Sequence, residues 1–208
     1  MSAAAVVFVH GLWMTGHESL LLTARLRRAR GYSTQLYHYA SMRAPIAHSA
    51  AGLRAAMHAI DAPQVHLVGH SLGGIIARSV AAQRPQDVAS VITLASPFRG
   101  TVVHRTILHA AESVRKQILH EHGPGVLPTC YTGRCTCDFL SSLRRKLPST
   151  VVETAIYTRN DGVADWRYCM TGDCKNDFEV PGTHIGLAFN ASAYAIIAKR
   201  LAMAQAAK

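Results

Sequence analysis

The first hundred residues alternate short apolar runs with amphipathic stretches, and this alternation limits the fold more than any other feature of the chain. Strands are predicted at 3–9, 32–39, 64–69 and 88–96, and most of them are apolar throughout. The run at 3–9 is rich in β-branched residues and is predicted to be a buried strand. Helices are predicted for the segments between them, at 18–31, 46–60 and 71–84. Apolar strands separated by helices are typical of a parallel sheet covered on both faces. We therefore predict an α/β fold with a mostly parallel central sheet flanked by helices.

The alternation of strands and helices stops between Thr101 and about Pro148, where helical stretches surround a loop rich in Gly, Pro and Cys. Two further strands are predicted at 151–158 and 177–180, followed by a closing helix at 192–207. An excursion of this kind in an open α/β sheet usually lies over the carboxyl ends of the strands. We therefore predict one domain over residues 1–208, with an inserted cap-like segment at about 102–148.

Composition excludes some classes of protein. Hydrophobic residues make up 49% and charged residues 16%, which is typical of a folded domain rather than a disordered one. The net charge of +10 raises the question of nucleic-acid or membrane-surface binding. The basic residues form short clusters that indicate solvated helix faces, and no nucleic-acid-binding motif accompanies them. We expect no nucleic-acid partner, allow peripheral contact with anionic surfaces, and expect a cytoplasmic protein because the N-terminus resembles no signal peptide.

The five cysteines all lie in the C-terminal half of the chain, at positions 130, 135, 137, 169 and 174. Free thiols are the default expectation for a cytoplasmic chain. A disulfide between Cys169 and Cys174 is an alternative. A zinc site is a less favoured alternative, because the paired C-x2-C spacing of zinc sites is missing from the sequence. We expect no metal site.

The sequence GHSLGG, from Gly69 to Gly74, follows a predicted strand and opens a predicted helix. A sharp turn at this junction holds its serine out of the backbone, and it leaves room only for small residues two positions before and after it. Gly69 and Gly73 occupy those positions, so Ser71 is the candidate nucleophile. An unreactive Gly-rich turn is the alternative. A phosphate-binding loop is excluded because the G-x-x-x-x-G-K-[ST] pattern is missing.

A serine needs a base to take its proton and an acid to orient that base. Where the nucleophile lies on such a turn, the acid and then the histidine follow it along the chain. His184 lies in a loop between the last predicted strand and the closing helix, so it is the candidate base. Asp161 comes in the first turn after the strand at 151–158 and is the candidate acid, with Asp165 as the alternative.

Acyl transfer places negative charge on an oxygen that two backbone amides should stabilise. One amide is expected from Leu72, directly after the candidate nucleophile. The other is expected from the loop after the first strand, where Leu12 is the candidate and Trp13 the second choice. His10, which precedes this turn, is expected to anchor the loop by a hydrogen bond, with a role as base the alternative.

These four segments together resemble the serine lipases and esterases of the α/β-hydrolase superfamily, in particular the small bacterial lipases. The matching segments are VFVHGLW, VGHSLGG, YTRNDGVADW and GTHIGL, which span residues 6 to about 190. The resemblance implies Ser71, Asp161 and His184 as a catalytic triad, Leu12 and Leu72 as oxyanion donors, an acyl-serine intermediate and no cofactor. It implies an ester or lipid substrate. A thioesterase or acyltransferase with the same triad, and a non-catalytic binding protein of this fold, are the alternatives.

Overall fold

The computed structural model describes residues 4–100, 112–113, 116–117, 119–121, 123 and 138–206. Its centre is a sheet of the strands β1 (Ala5–Val9), β2 (Ser33–Tyr37), β3 (Val65–His70), β4 (Ser90–Leu94), β5 (Val152–Tyr157) and β6 (Asp177–Glu179). They lie in the order β2-β1-β3-β4-β5-β6, and every neighbouring pair is parallel. The predicted α/β fold with its parallel sheet is confirmed.

The described helices are α1 (Leu20–Arg30), α2 (Ile46–His58), α3 (Leu72–Gln83), α4 (Asp138–Arg144) and α5 (Ala191–Ala206). Helix α1 begins later than the sequence predicts, because a 3-10 turn at His17–Ser19 precedes it. It ends at Gly31, whose φ of 66° is the left-handed conformation that glycine adopts readily at a helix end. Further 3-10 turns, at Pro85–Asp87, Trp166–Tyr168 and Gly186–Phe189, were not predicted.

Successive residues of the central strands face opposite sides of the sheet, and each side has its own apolar core. In β1, Val7 and Val9 belong to the core shared with α2, α3 and α4. Val6 and Phe8 belong to the core shared with α1 and α5. Because both faces are covered, the central strands are largely apolar, and this is why the alternating pattern along the chain predicts the fold. The edge strands β2 and β6 carry polar residues and are partly exposed.

Helix α4 differs from the expectation of a cap-like segment over residues 102–148. Phe139 and Leu143 are buried in the same core as α3, because they lie four residues apart on one side of the helix, and Leu147, just after the helix, joins that core. The guanidinium of Arg78 in α3 donates to the Leu143 carbonyl at 2.7 Å. Residues 138–147 therefore cover the sheet rather than the strand ends. Residues 102–111, 114–115, 118, 122 and 124–137 of the predicted insertion lie outside the described residues, so the insertion stays a prediction there.

The surface basic residues are solvated, as their clustering predicts. The arginines of α1 at positions 25, 27, 28 and 30 are all exposed. Within the described part of the chain, no helix has both the length and the apolar character needed to cross a membrane. Cys169 is buried and Cys174 is exposed, and both are free thiols, so the alternative of a disulfide between them does not hold. The other three cysteines lie outside the described residues.

Candidate active site

Four loops meet at the carboxyl edge of the sheet. They follow β1, β3, β5 and β6, and they carry Gly11, Ser71, Asp161 and His184. Because all the strands are parallel, their carboxyl ends lie along one edge, where ligand sites of open α/β sheets are found. The topology therefore brings together residues that are far apart in the sequence.

Ser71 lies between β3 and α3 in a strained backbone conformation. Its φ of 53° and ψ of −121° fall in a region that residues other than glycine rarely adopt. The Ser71 N–H donates to the Leu94 carbonyl at 2.8 Å, and the Ser71 carbonyl accepts from the Gly74 N–H at 3.1 Å. These two bonds tie the turn to β4 on one side and to the first turn of α3 on the other.

The two glycines that flank the serine have no room for a side chain. A Cβ atom on Gly69 would overlap the backbone of Gly73 and Gly74, and one on Gly73 would overlap the Val9 and His10 carbonyl oxygens. Backbone atoms cannot rotate out of the way as the end of a side chain can. The predicted need for small residues at both positions thus has a steric cause in the packing of α3 against β1 and β3.

The three predicted side chains form one hydrogen-bonded row. The Ser71 hydroxyl donates to His184 Nε2 at 2.9 Å, and His184 Nδ1–H donates to Asp161 Oδ1 at 2.7 Å. The side chains of His184 and Asp161 are 8% and 2% exposed, so the ion pair that forms when the histidine is protonated is shielded from water. This geometry lets the histidine accept the serine proton while the carboxylate stabilises the resulting charge.

Asp161 uses a single oxygen for all its described contacts. Besides His184, Oδ1 accepts from the backbone amides of Val163 and Ala164 at 3.1 and 2.6 Å. Oδ2 is buried and has no partner among the described residues. The alternative acid, Asp165, instead caps the 3-10 turn at Trp166–Tyr168 and pairs with the exposed Arg167. The structure therefore brings Asp161, and not Asp165, to the histidine.

The loop after β1 passes close to the serine. A Cβ atom on Gly11 would lie 3.3 Å from the Ser71 Cβ, so glycine permits a close approach. The Met14 N–H donates to the Gly11 carbonyl at 3.3 Å, which makes Leu12 and Trp13 the central residues of a turn. Trp13 has a φ of 59°, unusual for a bulky residue. The oxyanion roles of Leu12 and Leu72 stay predictions.

His10 is buried beneath this loop. Its ring stacks on Tyr39 with centroids 4.4 Å apart, and its Nδ1 lies 2.9 Å from the Gly11 carbonyl oxygen. The Tyr39 hydroxyl in turn donates to the His10 carbonyl at 2.7 Å. These contacts hold His10 within the loop, and the histidine within hydrogen-bond distance of the Ser71 hydroxyl is His184.

Sequence reasoning missed several residues that support the site. His70 Nε2 lies 2.8 Å from the His184 carbonyl oxygen, a contact between residues 114 positions apart. Ala95 has a φ of 49°, and the buried Ser96 hydroxyl donates to the same Leu94 carbonyl that Ser71 uses. No local pattern marks such long-range contacts. The position of His70 beside the serine is the one signal that could have drawn attention to it.

Three large apolar side chains are exposed on the loops that carry the site. Trp13, Ile185 and Phe189 are 49%, 58% and 50% exposed. Trp13 follows the close approach at Gly11, and Ile185 is the neighbour of His184. Among the residues that the structure describes, no group of three or more His, Cys, Asp and Glu side chains is arranged to hold a metal ion.

Two triacylglycerol lipases are similar to part of this chain. The protein from Pseudarthrobacter phenanthrenivorans is 34% identical over 125 residues, which are 55% of this chain and 37% of the relative. The protein from Burkholderia plantarii is also 34% identical over 125 residues, and the match covers 55% of this chain and 33% of the relative. The match thus spans only about a third of the length of these relatives.

Solved structures share the fold over nearly the whole chain. A structure from a study of carboxylesterases of Nitrososphaera gargenis superposes with a TM-score of 0.67 at 15% identity, covering 99% of this chain and 92% of that one. The mouse alpha/beta hydrolase domain-containing protein 10 gives a TM-score of 0.64 at 15% identity, covering 98% and 90%. At these identities the likeness concerns the fold alone.

A family model extends the comparison from the fold to the sequence. The model of the alpha/beta hydrolase family matches residues 6–192, which include all four loops at the carboxyl edge of the sheet. The match agrees with the resemblance found in the motifs and with the parallel sheet. The chain belongs to the alpha/beta hydrolase family.

Proposed function

We propose that this protein is a carboxylic ester hydrolase of the lipase and esterase type that works through an acyl-serine intermediate. The observation that carries the proposal is the row of hydrogen bonds from Ser71 through His184 to Asp161. A strained serine at a strand-to-helix turn, a histidine within hydrogen-bond reach and a buried carboxylate behind it are the parts that a serine nucleophile needs.

The reaction follows from these contacts. Ser71 Oγ attacks the ester carbonyl carbon while His184 Nε2 takes the hydroxyl proton, and the Asp161 carboxylate stabilises the imidazolium. The tetrahedral intermediate then collapses, and His184 gives its proton to the leaving alcohol. A water molecule, deprotonated by the same histidine, attacks the acyl-serine and releases the carboxylic acid. As the carboxylic acid leaves, His184 gives the proton taken from water to Ser71 Oγ. The alcohol keeps the original serine proton, and both side chains regain their starting protonation states.

The oxyanion is stabilised, in this proposal, by the amides of Leu12 and Leu72. Leu72 is the first residue of α3, and the first amides of a helix have no carbonyl partner within that helix. The positive end of the helix dipole also lies there. Leu12 is carried to the serine by the close approach of Gly11. A tetrahedral oxygen between these loops would accept from both amides.

An ester or lipid with an apolar acyl group is the substrate class that we propose. The exposed side chains of Trp13, Ile185 and Phe189 provide apolar surface on the loops of the site. Burial of a hydrocarbon chain against such surface is favourable by about 25 cal/mol per Å². The relatives named triacylglycerol lipase support the same class.

Hydrolysis of p-nitrophenyl esters of increasing chain length tests this proposal. The wild-type protein should release p-nitrophenol, and Ser71→Ala should lower kcat by several orders of magnitude. Ser192→Ala is the matched control, because Ser192 is an exposed serine in the first turn of α5. Equal rates for wild type and Ser71→Ala would overturn the proposal. Turnover of acyl thioesters without turnover of oxygen esters would replace it by a thioesterase.

A further inference from the structure

His184 is held by two neighbouring residues of the nucleophile turn. Its ring nitrogen Nε2 accepts from the Ser71 hydroxyl, and its backbone carbonyl oxygen lies 2.8 Å from Nε2 of His70. The rings of His70 and His184 are tilted by 58° with centroids 5.2 Å apart. His184 is thus linked to Ser71 through its side chain and to His70 through its backbone, and His70 and Ser71 are adjacent in the chain.

We propose that His70 is a positioning residue that sets the distance between the nucleophile and its base by holding the His184 backbone through the Nε2–H···O=C hydrogen bond. The inference rests on the proposed function and deepens it. Because His70 and Ser71 are adjacent, any movement of the nucleophile turn is passed to the histidine loop. The two hydrogen bonds therefore hold Ser71 Oγ and His184 Nε2 at a fixed distance from each other.

The loop that carries His184 depends on side chains for its support. It lies between β6 and α5, outside the ladder of the sheet. Backbone turn bonds, such as that from the Leu187 N–H to the Thr183 carbonyl, satisfy some of its carbonyl groups, and side chains bind others. Asn190 Nδ2 donates to the Pro181 carbonyl at 2.7 Å, and the Thr158 hydroxyl donates to the Gly182 carbonyl at 3.1 Å. The Tyr194 hydroxyl donates to the Ala188 carbonyl at 2.7 Å, and His70 supplies the fourth contact, at His184 itself. Of these four, only the His70 contact comes from the nucleophile turn.

The hydrogen bond also determines the state of the His70 ring. A carbonyl oxygen can only accept, so His70 Nε2 must carry a hydrogen, and in the neutral ring Nδ1 then carries the lone pair. His70 Nδ1 is buried with no partner among the described residues. Burial is the main cause that lowers the pKa of His70 to about 4. The imidazole therefore donates as a neutral group, and it adds no positive charge beside the histidine that must become an imidazolium during the reaction.

Loss of this contact should act on kcat rather than on KM. His70 is buried beside the nucleophile turn, so we expect no contact between its side chain and the substrate. A freed His184 backbone would let the ring move away from Ser71 Oγ, and a displacement of about 1 Å at reacting groups can lower the rate by about a hundredfold. A merely structural role would lower stability and leave the rate of the folded enzyme unchanged.

Three substitutions of His70 separate the hydrogen bond from the packing. Gln carries an amide nitrogen as many bonds from Cβ as the imidazole Nε2, so His70→Gln should keep kcat within about threefold of wild type. Met fills similar space without a donor, and Asn places its amide one bond short. His70→Met and His70→Asn should each lower kcat by about 10- to 100-fold with KM changed less than twofold.

His66→Met is the matched control, because His66 lies on the same strand, is equally buried and contacts Ser90 instead of the site. Its kcat should match that of wild type, whatever its loss of thermal stability. The inference is overturned if folded His70→Met keeps the wild-type kcat, or if His70→Gln falls as far as His70→Met. If wild type itself cleaves no ester, the proposed function fails instead, so the two failures are distinguishable.

Discussion

Replacement of Asp161 by Asn removes the charge behind His184 while it preserves the shape of the side chain. In wild type the His184 Nδ1 and Asp161 Oδ1 atoms are 2.7 Å apart. Two unit charges at this distance attract by about 6 kcal/mol at an effective dielectric constant of about 20. Asn keeps part of this attraction through its amide dipole. We therefore expect kcat to fall by about 10³- to 10⁴-fold, since about 1.4 kcal/mol corresponds to tenfold.

The fold should survive the substitution. The Asn oxygen can still accept from the Val163 and Ala164 amides, but its NH₂ group would occupy the place of Oδ2, which is buried without a described partner. An unsatisfied buried donor costs about 1–3 kcal/mol. The Tm should therefore drop by about 2–12 °C, and rates are to be measured well below the transition.

Asp165→Asn is the matched control for this prediction. It lies in the same loop, but its carboxylate pairs with the exposed Arg167, so kcat should stay within about twofold of wild type. The assay is steady-state hydrolysis of a p-nitrophenyl ester by folded protein. The reasoning is refuted if Asp161→Asn keeps more than about a tenth of the activity, or if Asp165→Asn loses more than Asp161→Asn does.

Three further results are expected. Gly69→Ala puts a methyl group 2.5 Å from backbone atoms of Gly73 in α3, so the nucleophile turn must shift, and a shift of about 1 Å should lower kcat by about a hundredfold. Gly182→Ala, whose methyl group would make ordinary contacts of 3.5 Å, should leave kcat unchanged in the same assay. Burial lowers the pKa of His70 to about 4 in the folded protein, against 6.5 in the unfolded chain, so between these pH values the unfolded state binds a proton that the folded state does not. Urea titrations should therefore show that the free energy of unfolding falls by about 3 kcal/mol between pH 6.5 and 4. The fall should be smaller in His70→Gln, which has no imidazole to protonate. Glu153→Leu leaves the buried Arg78 guanidinium without its carboxylate and should destabilise by about 3–5 kcal/mol in thermal unfolding. Arg78→Met in the same chain should restore only part of this loss, because it leaves the Leu143 and Arg145 carbonyls without their donor.

The sheet and the meeting of Ser71, Asp161 and His184 could be predicted because both depend on local patterns. Apolar runs mark the strands, and parallel strands place their carboxyl ends together whatever their separation in the sequence. Chain order then selects one histidine out of twelve. The sequence does not separate Asp161 from Asp165 by pattern alone, because both follow β5 closely and both accept backbone amides in their own turns.

Other features depend on contacts that no local pattern records. The role of α4 as a core helix follows from its hydrogen bonds and packing against α3, about sixty residues earlier in the chain. The link from His70 to the His184 carbonyl depends on where two loops end in space. The positive φ values of Trp13 and Ala95 run against the preference of both residue types, so composition predicts them least of all.

Covalent labelling by a fluorophosphonate tests the central claim, that the fold presents Ser71 as an activated nucleophile, most directly. Intact-mass and peptide mass spectrometry after reaction should find one adduct, on Ser71, and none on Ser71→Ala. Asp161→Asn should react much more slowly than Asp165→Asn. Absence of an adduct on folded wild-type protein, or an adduct on another serine that persists in Ser71→Ala, would contradict the account.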